Sequence, residues 1–207
     1  MGVKLREIDT VAVGRFNPHI VSPQWLVKEG VISSAVTVET KIAISNRTVA
    51  FRFTTGHLSW QVDYGRLVVS TETTSDTAAI VAKVVQKLPH TPLTAIGNNF
   101  RYGCNSADWK GRLPKLDDVG ADQLVQYGEV QTVSWNASIN RPDGSTVNVE
   151  VSVDPTELPS PMLTVSVNYH RQVGNAEDLV AAAQRFEEDQ RASATFLESL
   201  LREKVEQ

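Results

Sequence analysis

This chain of 207 residues has a single cysteine, Cys104, and four widely separated histidines. One thiol cannot close an intramolecular disulfide, and a lone thiol suits a reducing compartment. His19, His57, His90 and His170 all lie far apart in sequence, so the usual zinc-ligand spacings are absent. No glycine-rich loop ends in Lys-Ser or Lys-Thr, and no Gly-x-Gly-x-x-Gly opens a helix. A Gly-x-Ser-x-Gly elbow is missing too. The apolar runs, such as 78–81, are far shorter than the roughly 20 residues that cross a bilayer. The opening MGVKLREIDTVAVGRF lacks the apolar core of a signal peptide. The formal net charge is -4 and the pI about 5.6, which argues against a phosphate-backbone binder. These absences lead to the expectation of a soluble cytoplasmic protein without cofactor, metal, membrane contact or nucleic-acid partner.

What is present is an ordinary globular composition, 41% hydrophobic and 21% charged, ample for a core. Residues 7–16 read as a strand with apolar positions in both phases. Ser22-Pro23 opens a short helix that Gly30 ends. Strand patterns follow at 37–44, 49–54, 58–63 and 67–71, with turn residues between them, and together predict an antiparallel meander. Thr74-Ser75-Asp76 starts a helix whose apolar stripe is Ala78, Val81, Val84, Val85 and Leu88, and Pro89 stops it. A strand at 93–102 follows. Residues 104–127 form the candidate connector, with a short helix expected at 118–127. The second half repeats the logic, with strands at 130–140, 146–153 and 163–171 around the hairpin turn Arg141-Pro142-Asp143-Gly144. Asn175 caps a final long helix, with Asp178 three positions on.

The pattern predicts an α+β fold with antiparallel sheets covered by helices and a long C-terminal helix. The domain reading is an N-terminal lobe at 1–103, the connector at 104–127 and a C-terminal lobe at 128–207, two similar lobes that either stand apart or pack as one domain. A final helix of roughly 30 residues would extend about 45 Å. Either it breaks near 191–193 or its far end packs on a second copy.

Two strands carry polar and aromatic residues where core is expected. One holds Asn98, Asn99, Arg101 and Tyr102, and the other holds Asn168, Tyr169, His170 and Arg171. Buried polar groups require partners, so these residues form either a network between the halves or the wall of a pocket. Trp25, Trp60 and Trp135 read as core, whereas Trp109 sits among polar residues of the connector and suits recognition. The candidate ligand or interface residues are therefore Asn99, Arg101, Tyr102, Trp109, Tyr169, His170 and Arg171. The acidic runs Asp117-Asp118 and Glu187-Glu188-Asp189 read as solvated helix positions. Cys104 reads as a packed thiol rather than a nucleophile, and no catalytic residue is assigned.

The stretch from Val49 to Gly103 carries a resemblance. Val49-Ala50-Phe51-Arg52-Phe53 leads to a strand with Trp60, then Arg66-Leu67-Val68-Val69, a helix, and Ile96-Gly97-Asn98-Asn99-Phe100-Arg101-Tyr102. This resembles a sporadically distributed family of bacterial and archaeal proteins with two α+β halves, a Gly-x-Arg-Tyr-like strand after the first helix, and a late helix. The resemblance covers about a quarter of the chain well, and the present sequence is shorter and has Asn98-Asn99-Phe100 before Arg101. It implies architecture and brings no activity. The functional expectation is a non-enzymatic binding or assembly protein with a protein partner or a second copy of itself, joined through the C-terminal helix. The alternative is a small-ligand pocket of helix-grip type, with Asn99, Arg101 and His170 as its polar groups.

Overall fold

A computed structural model describes residues 3–33, 38–45, 48–105, 133–154, 162–201 and 205–206. The connector, Trp109 and the helix expected at 118–127 lie outside the described residues. Cys104 falls on a described strand, but its side chain lies outside them too.

The chain runs β1 (Val3–Gly14), α1 (Pro23–Lys28), β2 (Val38–Ser45), β3 (Thr48–Thr55), β4 (Leu58–Val62) and β5 (Arg66–Thr71). Next come α2 (Thr77–Gln86), β6 (Leu93–Asn105), β7 (Val133–Asn140), β8 (Thr146–Asp154) and β9 (Met162–Gln172). The chain closes with α3 (Ala176–Ala183), α4 (Phe186–Leu201) and the short β10 (Val205–Glu206). The α+β class, the antiparallel pairing and the C-terminal helix are as the sequence predicts. The sheets of the two halves are joined, however. The strands lie in the order β2-β3-β4-β5-β1-β6-β9-β8-β7, with β10 parallel to the start of β1.

Each half is built alike. Its first strand pairs with the last strand of its own meander, β1 with β5 and β6 with β9. The two first strands pair antiparallel at the centre, Asp9 opposite Asn99. A helix follows each meander, and α2 and α3 pack together.

Local chemistry sets the helix ends. The Ser22 side chain accepts from Trp25 N–H, Asp76 from Ala79 and Asn175 from Asp178, each satisfying an orphan donor of a first turn. Pro23 takes the first helical position, where its missing N–H costs nothing. At the β7–β8 hairpin Gly144 has φ +79°, a conformation that side chains with a Cβ resist.

The core lies between the sheet and its helices. Ile8, Ala12, Trp60, Leu67, Val69, Phe100, Val165, Val167, Val81, Val85, Leu179, Phe186 and Leu197 are all buried there. Trp60 stacks on Phe53 with ring centroids 5.6 Å apart, and its indole N–H donates to Thr55 Oγ1 at 2.7 Å. Removing one such large side chain leaves a cavity and costs about 3–5 kcal/mol.

The C-terminal segment corrects the sequence reading. It is two helices, broken at Gln184–Arg185, and α4 passes unbroken through 191–193. No Pro or Gly marks the break. What the bend accomplishes is tertiary: it turns Phe186 onto Phe100, with centroids 5.4 Å apart, and Asp189 onto Arg171. The apolar stripe is used within the chain, since Phe186, Ala194 and Leu197 are buried.

Candidate functional site

Strand residues alternate between the two faces of a sheet. On β6, Asn98, Phe100 and Tyr102 point under the helices, and Asn99 and Arg101 point to the other face. On β9, Tyr169 and Arg171 point in, and Asn168 and His170 point out. The candidate residues therefore do not converge on one place. Alternation divides them into a buried network and an open face.

The buried network centres on Asp189, which is fully buried and not a solvated helix position. Its carboxylate accepts two guanidinium N–H bonds from Arg171, at 2.6 and 2.7 Å, and one from the Asn98 amide at 3.0 Å. It also lies in the first turn of α4, where the helix dipole favours negative charge. Asn98 in turn accepts from Thr10, whose hydroxyl meets Thr77 of α2 at 2.8 Å. This chain of bonds ties both halves and two helices together. Tyr102 meets Ser193 at 2.5 Å, and Ser193 donates to the Gln190 carbonyl at 2.8 Å. Burial pushes the Tyr102 hydroxyl up, and it raises Tyr169 to about 12, helped by the Asp189 charge. The Arg141 guanidinium lies 5.9 Å over the Tyr169 ring, a cation–π contact. Tyr102, Tyr169 and Arg171 thus serve the fold. Phe100, Tyr102 and Leu197 are all buried between the helices and the sheet at this point.

The open face is different. Ser138, Asn148, Asn168, Asn99 and Asp9 occupy one row across β7, β8, β9, β6 and β1. Their side chains bond in sequence. Ser138 Oγ donates to Asn148 Oδ1 at 2.8 Å, and Asn148 Nδ2 to Asn168 Oδ1 at 3.1 Å. Asn168 Nδ2 then donates to Asn99 Oδ1, and Asn99 Nδ2 to the Asp9 carboxylate. All four donors point the same way, toward the charge, so the bonds polarise one another. Burial pushes the Asp9 carboxyl up, and the Asn99 bond holds it partly down. Gly97 makes room for this row, since a Cβ there would lie 2.9 Å from Asn168 Nδ2.

The next row holds Asn136, Glu150, Ser166 and Arg101, and Arg101 pairs with Glu7. The two rows line a groove of about 590 Å³. Asn99 and Arg101 lie in it. His170 lies one row away, beside Gln172 at 3.1 Å, and is not part of its lining. Among the described residues no three of His, Cys, Asp and Glu are grouped to hold a metal ion, and no helix is long and apolar enough to cross a membrane.

The sequence pattern does not single out Asp9, Ser138, Asn148 or Glu150, and it marks Asn168 only as a polar strand residue of a network or pocket wall, outside the candidate set. A signal existed: Asn136, Ser138 and Asn140 share a phase in one strand, and Thr146, Asn148 and Glu150 in the next. Trp135, expected in the core, is 39% exposed, because β7 is an end strand of the sheet among the described residues. Compared with known protein families and with curated proteins, the chain matches none.

Proposed function

We propose that this chain is a non-enzymatic binding protein that works through contacts with a protein partner, and that its docking surface is the open-face groove. The observation that supports this is the bonded row from Ser138 to Asp9. Each amide in the row uses one N–H and one carbonyl lone pair on its neighbours and keeps one of each for a ligand. A surface already held in place loses little entropy on binding.

The charges suggest the kind of segment. Glu150 is exposed and has no ion pair among the described residues, Asp9 closes the row, and Arg101 is already engaged by Glu7. A polar segment carrying Lys or Arg complements that lining. Contact is favoured over catalysis because Ser138 gives its proton to Asn148, and no histidine is among the described lining residues. The C-terminal helix offers less, since Phe186, Ala194 and Leu197 are spent on the chain's own core.

Panning a random peptide library against the folded protein tests this. Enriched peptides should carry Lys or Arg among polar residues, and Glu150→Lys and Asn168→Ala should each weaken them roughly tenfold or more. No enrichment, or binders indifferent to both variants, would remove the groove from consideration.

A further inference from the structure

The groove's outer wall is β7, the last strand of the sheet among the described residues. Among the described residues β7 pairs with β8 alone, so every second residue directs its N–H and C=O outward. Natural edges are commonly guarded by lysines, prolines, bulges or short length. β7 has none of these. Its eight residues, VSWNASIN, include no charge and no proline, and its register with β8 is unbroken. On its core-facing side Trp135 and Ile139 are 39% and 46% exposed, large apolar side chains past the reach of the helices.

We propose that two copies of this chain join through β7, antiparallel, about a two-fold axis at Ala137. Trp135 and Ile139 are each two residues from Ala137. An axis there sets Trp135 of one copy against Ile139 of the other, twice, so that each exposed apolar side chain covers its counterpart. Moving the axis by one residue to Asn136 would set Trp135 against the small Ala137, and moving it to Ser138 would set Trp135 against Arg141. On the open face the same axis puts Ser138 opposite Asn136 of the second copy, and Asn140 opposite Ser134. All of these are uncharged, so the symmetric pairing brings no like charges together even though the chain carries a net -4. Contacts of this kind are isologous and close on themselves. The helices of both copies lie on one side of the joined sheet. Each groove, open at β7 in the single chain, gains the second copy's Asn136 and Ser138 as its far wall.

The dimer does not depend on what the groove binds, and its test is separate. Light scattering on the full chain, at concentrations up to roughly 100 µM, should give twice the 22.7 kDa chain mass. Trp135→Lys and Ile139→Lys sit at exposed positions and should keep native circular dichroism while weakening association roughly tenfold or more. In a Cys104→Ser background, Ala137→Cys should form a disulfide-linked dimer on oxidation. Directly opposed antiparallel residues lie about 4.5–5.5 Å apart at Cα, within disulfide reach. A monomer at every concentration would overturn the proposal. So would a dimer indifferent to both lysine variants, or one that Ala137→Cys fails to link. Peptide binding by the monomeric Trp135→Lys chain reports on the groove by itself.

Discussion

Asn98 and Asn99 are neighbours on β6, yet they belong to different chemistries. Asn98 is buried and donates to a carboxylate that is itself buried and held by an arginine. Asn99 lies on the opposite face and passes hydrogen bonds along a row that ends on a half-buried carboxylate. Both faces of the same strands thus carry a network. Only the one under the helices is shut away from water, and there the Asp189 carboxylate takes three bonds while the Arg171 Nε–H stays buried without a partner among the described residues. The one on the open face retains spare donors and acceptors. The lesson is that a polar strand residue is structural or available according to its phase, not its type.

That contrast predicts a graded series. Asp189→Ala leaves Arg171 only Asp143, 4.0 Å away, and should cost the most, about 3–5 kcal/mol, visible as a large drop in the denaturation midpoint. The double variant Arg171→Met with Asp189→Leu should recover part of the loss, because a buried pair can be replaced by apolar packing of similar volume, while the buried Asn98 amide still lacks its acceptor. Were Asp189→Ala nearly neutral, the buried network would not be what closes the helix side. Tyr102→Phe should cost less, about 1 kcal/mol, since Ser193 keeps its bond to Gln190.

Acid acts between these extremes. Asp143, in the β7–β8 turn, accepts from the Ser145 hydroxyl at 2.6 Å and faces Arg185 at 2.7 Å. The Ser145 bond is the main reason its carboxyl is held down to about 2. A depressed carboxyl stabilises the fold above its unfolded value near 3.8 and loses that contribution as pH falls through about 2. Asp143→Asn should therefore flatten the acid limb of a stability–pH curve between those values. An unchanged limb would mean the turn is not held by charge.

The smallest effect has the opposite sign. Asp9 has a raised carboxyl, so the folded chain holds its proton to higher pH than the unfolded chain does. Stability then falls as pH rises from the ordinary value near 3.8 through the folded one. Asp9→Asn keeps an oxygen for Asn99 and removes the charge. It should gain a few tenths of a kcal/mol, at most about 1, at neutral pH and nothing in acid. A loss at neutral pH would show that the row needs its charged end.

Much of the architecture was legible because it rests on period and punctuation. The meander, the caps at Ser22, Asp76 and Asn175 and the stripe of α2 follow from residue spacing alone. The break at Gln184–Arg185 did not, because Ala-Ala-Ala-Gln-Arg-Phe favours an unbroken helix locally and only Phe100 and Arg171 decide otherwise. Asp189 looked wet beside Glu187 and Glu188 for the same reason. Its partner is remote in sequence. The open-face row was half visible: each strand showed its own polar phase, but which strands stand side by side is set by β6–β9 pairing across the connector.

The bend before α4 carries a consequence for how the chain is made. On the ribosome β6 and β9 are synthesised before the helix that supplies Asp189, which is 91 positions after Asn98. Until that turn emerges, Arg171 has only Asp143, 4.0 Å away, and the Asn98 amide has no carboxylate to receive it, so the helix side of the sheet stays wet. Closure therefore waits for α4, and a nascent or clipped chain lacking it should be recognised by quality control as unfinished rather than persist as a smaller, stable protein.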